Sequence, residues 1–95
     1  ISALKKSGHS QYSVYNYALF CANQGLYAIA SSLAEEINTG NKKSLMYKSE
    51  IYQAIGDKMS DMQEYKGAVN AYRISYKYAK NIDNLKYFNI YLFDK

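Results

Sequence analysis

No proline interrupts the 95 residues, and glycine occurs only five times. No long stretch alternates apolar with polar residues. Proline breaks helix interiors and alternation marks half-buried strands, so these absences together predict an all-helical chain. Cysteine occurs once, as Cys21. A single thiol excludes an intrachain disulfide framework and a cysteine-built zinc site, and it fits a reducing, cytoplasmic setting. The longest apolar run, Val14 to Ala22, is broken by Asn16 and falls far short of the roughly eighteen residues of a membrane span. No signal peptide is visible. Catalytic signatures are missing as well: no H-E-x-x-H, no G-x-S-x-G, no C-x-x-C, and no glycine-rich loop followed by Lys and Ser or Thr. The lone His9 has no Cys or His cluster beside it and is assigned no role. No catalytic residue, metal site or cofactor is expected.

What is present is apolar mass of an unusual kind. Hydrophobic residues make up 48% of the chain, enough for a small core, and 12 residues are tyrosines. Tyrosine buries large area but needs a partner for its hydroxyl, which suits thin helical layers and binding surfaces alike. The net charge is +4, with basic residues spread from Lys5 to Lys95 rather than gathered in the dense clusters of nucleic-acid footprints.

Periodicity divides the chain into helices. Ile1 to Lys6 reads as the tail of a helix that stops at Ser7-Gly8. Gln11 to Asn23 is apolar on two faces: Tyr12, Tyr15 and Leu19 on one, and Val14, Tyr17, Ala18 and Cys21 on the other. Asn23-Gln24-Gly25 closes it. Leu26 to Ile37 returns, with Leu26, Ala30, Leu33, Ala34 and Ile37 aligned, and residues 38–41 break the chain. A helix from Lys42 to Met59 carries Leu45, Tyr52, Ile55, Met59 and Met62 on its apolar side. Its end is ambiguous, because Gly56-Asp57 resembles a turn dipeptide. Asp61 and Glu64, three residues apart, resemble a capping box, which favours the later turn. Glu64 to Lys80 then places Tyr65, Ala68, Val69, Tyr72, Tyr76 and Ala79 on one stripe, opposite Lys66, Arg73, Lys77 and Lys80. Leu85 to Phe93 begins a fifth, strongly aromatic helix.

Within this pattern Tyr52, Ile55, Gly56 and Met59, followed by Tyr65, Ala68 and Tyr72, resemble the signature of the tetratricopeptide repeat, a helix–turn–helix unit. Val14, Tyr17, Ala18 and Cys21, with Gly25, Tyr27 and Ala30, form a weaker first copy. Ala34 stands in that copy where Tyr72 stands in the second. Tyr52 lies against Val14 when the copies are aligned, an offset about one helical turn longer than the family's period. The resemblance implies an all-α, right-handed array of antiparallel helix pairs with about five helices. Repeat one would span about residues 11–44, repeat two about 49–82, and an extra helix about 84–94. Repeat arrays normally end on a polar cap, whereas Tyr87, Phe88, Tyr91, Leu92 and Phe93 are apolar. An excerpt from a longer protein is therefore expected.

In this family the first helix of each pair lines an inner surface that holds peptides or a partner's helix. The corresponding residues here are Tyr12, Tyr15 and Leu19, then Glu50, Gln53 and Asp57, then Asn84, Tyr87 and Tyr91. Such a surface is aromatic at its ends and acidic in its middle, and it suits an apolar or aromatic segment bearing positive charge. Tyr15 and Leu19 occupy places where relatives that clamp the acidic tails of chaperones carry basic and polar side chains, so that activity is not expected. The expected function is a non-catalytic protein or peptide interaction module, the scaffold or sensing portion of a larger bacterial protein. The rival readings are a nucleic-acid surface along Lys66, Arg73, Lys77 and Lys80, and homodimerisation through Tyr87, Tyr91 and Phe93.

Overall fold

The computed structural model describes residues 10–37, 39–40 and 42–82. The expected first tail, the fifth helix, and with it Asn84, Tyr87 and Tyr91, lie outside the described residues. Within them the chain is all-helical: α1 (Ser10–Asn23), α2 (Tyr27–Glu36), α3 (Lys42–Asp61) and α4 (Tyr65–Lys80).

The two tight turns are built alike. After α1, Gly25 takes a left-handed φ of 80°; its N–H bonds to the Ala22 carbonyl at 3.0 Å, and the Leu26 N–H reaches the Cys21 carbonyl at 2.9 Å. After α3, Gln63 takes φ 64°; its N–H bonds to the Ser60 carbonyl at 3.0 Å, and the Glu64 N–H reaches the Met59 carbonyl at 2.8 Å. Both are Schellman closures, in which two otherwise orphaned carbonyls of the last turn find donors. The residues that open the next helices match too: Leu26 has φ −90°, ψ 70° and Glu64 has φ −94°, ψ 69°. Every equivalent pair is separated along the chain by the interval that separates Val14 from Tyr52.

This geometry settles the ambiguous boundary. Gly56-Asp57 lies inside α3, and the turn comes later. The reason differs from the one the sequence suggested. Asp61 is the last residue of α3, and Glu64, at the N-cap of α4, makes no side-chain capping bond. The turn is made by the carbonyls of α3, not by a capping box.

α1 packs on α2 and α3, α2 on α3, and α3 on α4. The result is a slab of 41 × 33 × 14 Å, thin enough that every helix keeps a wet side. Its core joins Val14, Ala18, Cys21 and Ala22 of α1 to Ala30, Leu33, Ala34 and Ile37 of α2 and the end that follows it. Ile51, Tyr52 and Ile55 of α3 complete it, with Ala71 of α4. So many alanines let backbones come close, which compensates for small side chains with short interhelical distance.

The same principle corrects the expected face of α4. Its buried residues are Ala68, Ala71, Ser75 and Ala79, whereas Tyr65, Val69 and Tyr72 are 59%, 50% and 38% exposed. Small residues bring α4 against α3, and the larger ones splay to the edges. Ser49 and Ser75 fix the approach reciprocally: the Ser75 hydroxyl donates to the Ser49 carbonyl at 2.7 Å, and the Ser49 hydroxyl to the Ser75 carbonyl at 3.0 Å. Glycine acts likewise at Gly56, where an added Cβ would stand 2.6 Å from the Tyr72 ring. Tyr17, Leu26 and Met62, expected on apolar stripes, are also exposed.

Candidate functional site

Two clusters of tyrosine and carboxylate stand out. One lies on the surface that α1 and α3 share. Tyr15 stacks on Tyr47 with ring centroids 4.3 Å apart and planes 22° from parallel. Tyr12 leans towards both at 6.2 and 6.3 Å and is 60% exposed. Offset and tilted rings at these separations attract one another through their quadrupoles. The Tyr15 hydroxyl donates to the Glu50 carboxylate. That bond pushes the Tyr15 hydroxyl up to about 12, with burial adding to the effect.

Glu50, Gln53 and Asp57 are all exposed on α3. Seven helical residues return to nearly the same direction, so Glu50 and Asp57 share a face about 10 Å apart. Asp57 is held as Glu50 is, by a tyrosine from a different helix: the Tyr72 hydroxyl donates to it at 2.5 Å. The bond to Asp57, and then burial, pushes the Tyr72 hydroxyl up to about 12.

Of the six described residues expected to line an inner surface, Tyr12, Glu50, Gln53 and Asp57 are exposed, and Tyr15 joins Tyr12 to Glu50 through its ring and its hydroxyl. Leu19, like Tyr15, is half-buried and packs against the core cluster, but no hydroxyl or ring ties it to the acidic row. The face also includes Tyr47 and Tyr72, which sequence reasoning missed. Tyr47 could have been found, since it lies one helical turn before Glu50. Tyr72 reads as core on size alone.

The second cluster ties α2, α3 and α4 together around Glu35. Its carboxylate accepts the Tyr52 hydroxyl at 2.5 Å and the Tyr78 hydroxyl at 3.0 Å. The Tyr52 hydroxyl also meets Ser31 Oγ at 3.1 Å. Lys48 lies beneath, with its side chain only 2% exposed. Its ammonium donates to the Ile37 carbonyl at 2.9 Å, lies 3.9 Å from Glu35 and sits 4.8 Å from the centroid of the Tyr78 ring. Burial lowers the Lys48 ammonium and Glu35 opposes that effect. Burial would raise the Glu35 carboxyl, but the two tyrosine hydroxyls and Lys48 outweigh it and hold the carboxyl below its ordinary value.

No sequence motif announced this cluster, because Glu35 and Lys48 come from different helices. One signal was available: Lys48, Ile51, Tyr52 and Ile55 fall at i, i+3, i+4 and i+7, which puts the lysine on the buried stripe. A shallow groove of about 270 Å³ runs between α2 and α4 over α3, lined by Tyr27, Ser31, Tyr52, Met59, Gly67 and Ile74 among others. The Glu35–Tyr78 contact crosses from α2 to α4 beyond it.

Lys66, Arg73, Lys77 and Lys80 are all exposed on α4. Among the described residues no group of three or more His, Cys, Asp or Glu could hold a metal ion. No helix among them is long and apolar enough to cross a membrane. Comparison with family models, curated proteins and solved structures gives no match to this chain.

Proposed function

We propose that this chain is a tetratricopeptide-like, non-catalytic interaction module that holds a protein or peptide partner on the face shared by α1 and α3. The observation that carries the reading is the Tyr12–Tyr15–Tyr47 ring cluster, with Tyr12 exposed and the other two half-buried, joined through the Tyr15–Glu50 bond to the exposed row Glu50, Gln53 and Asp57. Stacked tyrosines offer rigid, amphipathic area that loses little entropy when covered, and such residues are enriched at interfaces. The array reading is supported by the turn and cap geometry that recurs from the first helix pair to the second. It is supported further by the close approach at Gly56, the position that the repeat signature reserves for glycine. The Glu35 cluster serves this scaffold by bonding α2, α3 and α4 to one another.

A test is selection from a random peptide-display library on the immobilised domain, repeated on a Tyr12→Ala/Tyr47→Ala variant. Recovery of a consensus that binds the parent and is lost with the two rings supports the face. Consensus peptides that bind both proteins equally move the interface elsewhere. A protein that selects nothing from the library, yet binds DNA or RNA through Lys66, Arg73, Lys77 and Lys80 with a steep salt dependence, overturns the proposal.

A further inference from the structure

The geometry points to a partner helix that carries two cationic side chains seven residues apart, laid along α3 so that they meet Glu50 and Asp57. This inference rests on the interaction face proposed above and names the chemistry that would occupy it. Three observations support it. First, the two carboxylates are oriented: Tyr15 from α1 holds Glu50, and Tyr72 from α4 holds Asp57. Each tyrosine engages one carboxylate oxygen of an exposed residue, and a carboxylate has more lone pairs than that one bond uses. Second, neither carboxylate is within ion-pair distance of a lysine or arginine among the described residues. This holds in a chain of net charge +4 that has cations to spare. Third, their separation is two helical turns, and between them Gln53 and Ala54 offer no charge of either sign.

A second helix lying along α3 reproduces that interval. Residues i and i+7 of an α-helix lie about 10 Å apart on nearly one side, whereas in an extended chain residues point to alternating sides every step. An apolar residue a turn beyond the cation that meets Glu50 would rest on Tyr12 and Tyr47. That cation would itself lie near aromatic rings, where an arginine gains from the negative ring face. Arginine suits the position better than lysine, because its planar fork can address the carboxylate and stack at the same time.

The test uses fluorescein-labelled, alanine- and leucine-based helical peptides of about five turns with paired arginines at i and i+7. A second set places the pair at i and i+5, which turns the second arginine about 140° away, and a third has glutamines at i and i+7. Affinities are read by fluorescence anisotropy with the full chain and with its Glu50→Gln and Asp57→Asn variants. The amide of each variant still accepts its tyrosine's hydroxyl, and an unchanged thermal midpoint verifies that the fold is intact. The i, i+7 arginine peptide should bind tightest. Each neutralised carboxylate should weaken it about two- to fivefold, the range of exposed ion pairs, and should erase its advantage over the i, i+5 peptide. Equal affinity for all three peptides, or indifference to both substitutions, overturns the cation pair. If the glutamine peptide still binds and needs Tyr12 and Tyr47, the interaction face survives that failure. If no peptide binds, the cation pair is overturned, and the face stands or falls by the display selection.

Discussion

Replacing Gln63 by glycine isolates the energy of one left-handed residue, because the chain supplies its own control in the equivalent turn after α1. Gly25 and Gln63 occupy the same place in those turns, at φ 80° and 64°. A residue with a Cβ is strained in this region by roughly 1–2 kcal/mol. Glycine escapes that strain but has more freedom to lose on folding, worth about 0.4–1 kcal/mol. The difference predicts that Gln63→Gly stabilises the protein by about 0.5–1 kcal/mol. Gln63 is exposed, so little packing is lost. For a domain of this size that corresponds to a rise of about 2–8 °C in Tm. Gly25→Gln should lower Tm by a similar amount, since nothing lies within 4 Å of a Cβ built there and the same two opposing backbone effects apply with no clash added. Urea unfolding followed by circular dichroism reads both variants on one scale. A Gln63→Gly protein no more stable than its parent would refute the reasoning, as would a Gly25→Gln protein that loses nothing.

Three further outcomes follow from the packing and the tyrosine–carboxylate bonds. Gly56→Ala should cost about 1–3 kcal/mol, because its Cβ would stand 2.6 Å from the Tyr72 ring. In a Tyr72→Ala background most of that cost should vanish, so a double-mutant cycle with additive effects would exclude the contact as its cause. Tyr15, Tyr72 and Tyr78 are each pushed up to about 12, and Tyr52 is raised by burial and by its bond to Glu35. A raised folded value means that the stabilisation is complete below the unfolded tyrosine value near 10 and is lost as pH climbs through the folded one. Tyrosinate absorbance should therefore go on rising well above pH 10, its late part coinciding with loss of helical ellipticity; absorbance complete near 10 with the helix intact would contradict it. The Glu35 carboxyl is held below its ordinary value. Its contribution is thus present above the unfolded value near 4.3 and is lost as pH falls through the folded one. Stability of a Glu35→Gln variant should depend less on pH over that acid window, and parallel acid limbs for variant and parent would show that the carboxylate does not contribute.

The helices were legible because their breaks are chemical: Gly25 and residues 38–41 interrupt the apolar period, and no proline confuses it. What periodicity could not give was the orientation of α4. Ranked by hydrophobicity, Tyr65, Val69 and Tyr72 belong inside. In the structure they are exposed, while Ala71 and Ser75 are buried, because interhelical distance rather than side-chain area decides the packing there. Lys48 misleads for the complementary reason. Its charge suggests solvent, yet its four-carbon stem is long enough to be buried while the ammonium reaches the Ile37 carbonyl at the end of α2. On the candidate face the tyrosines of α1 and the acidic row of α3 are picked out by the resemblance to the repeat family, with spacing showing only that each trio can share one side of its helix. The hydroxyl bonds that lock those two groups together could not be read from the sequence, because Tyr15 and Glu50 are 35 residues apart.

Cys21, the lone free thiol, is 1% exposed within the core that α1 shares with α2 and α3. Its chemistry therefore makes it a clock for the opening of that core. A soluble disulfide reagent can reach the sulfur only in moments when the helices around it part, so the labelling rate at low reagent concentration measures the population of that opened form. Anything that fastens α1 to α3 across Tyr15 and Glu50 must slow the clock in proportion to its occupancy, with no label on the partner and no substitution in the protein.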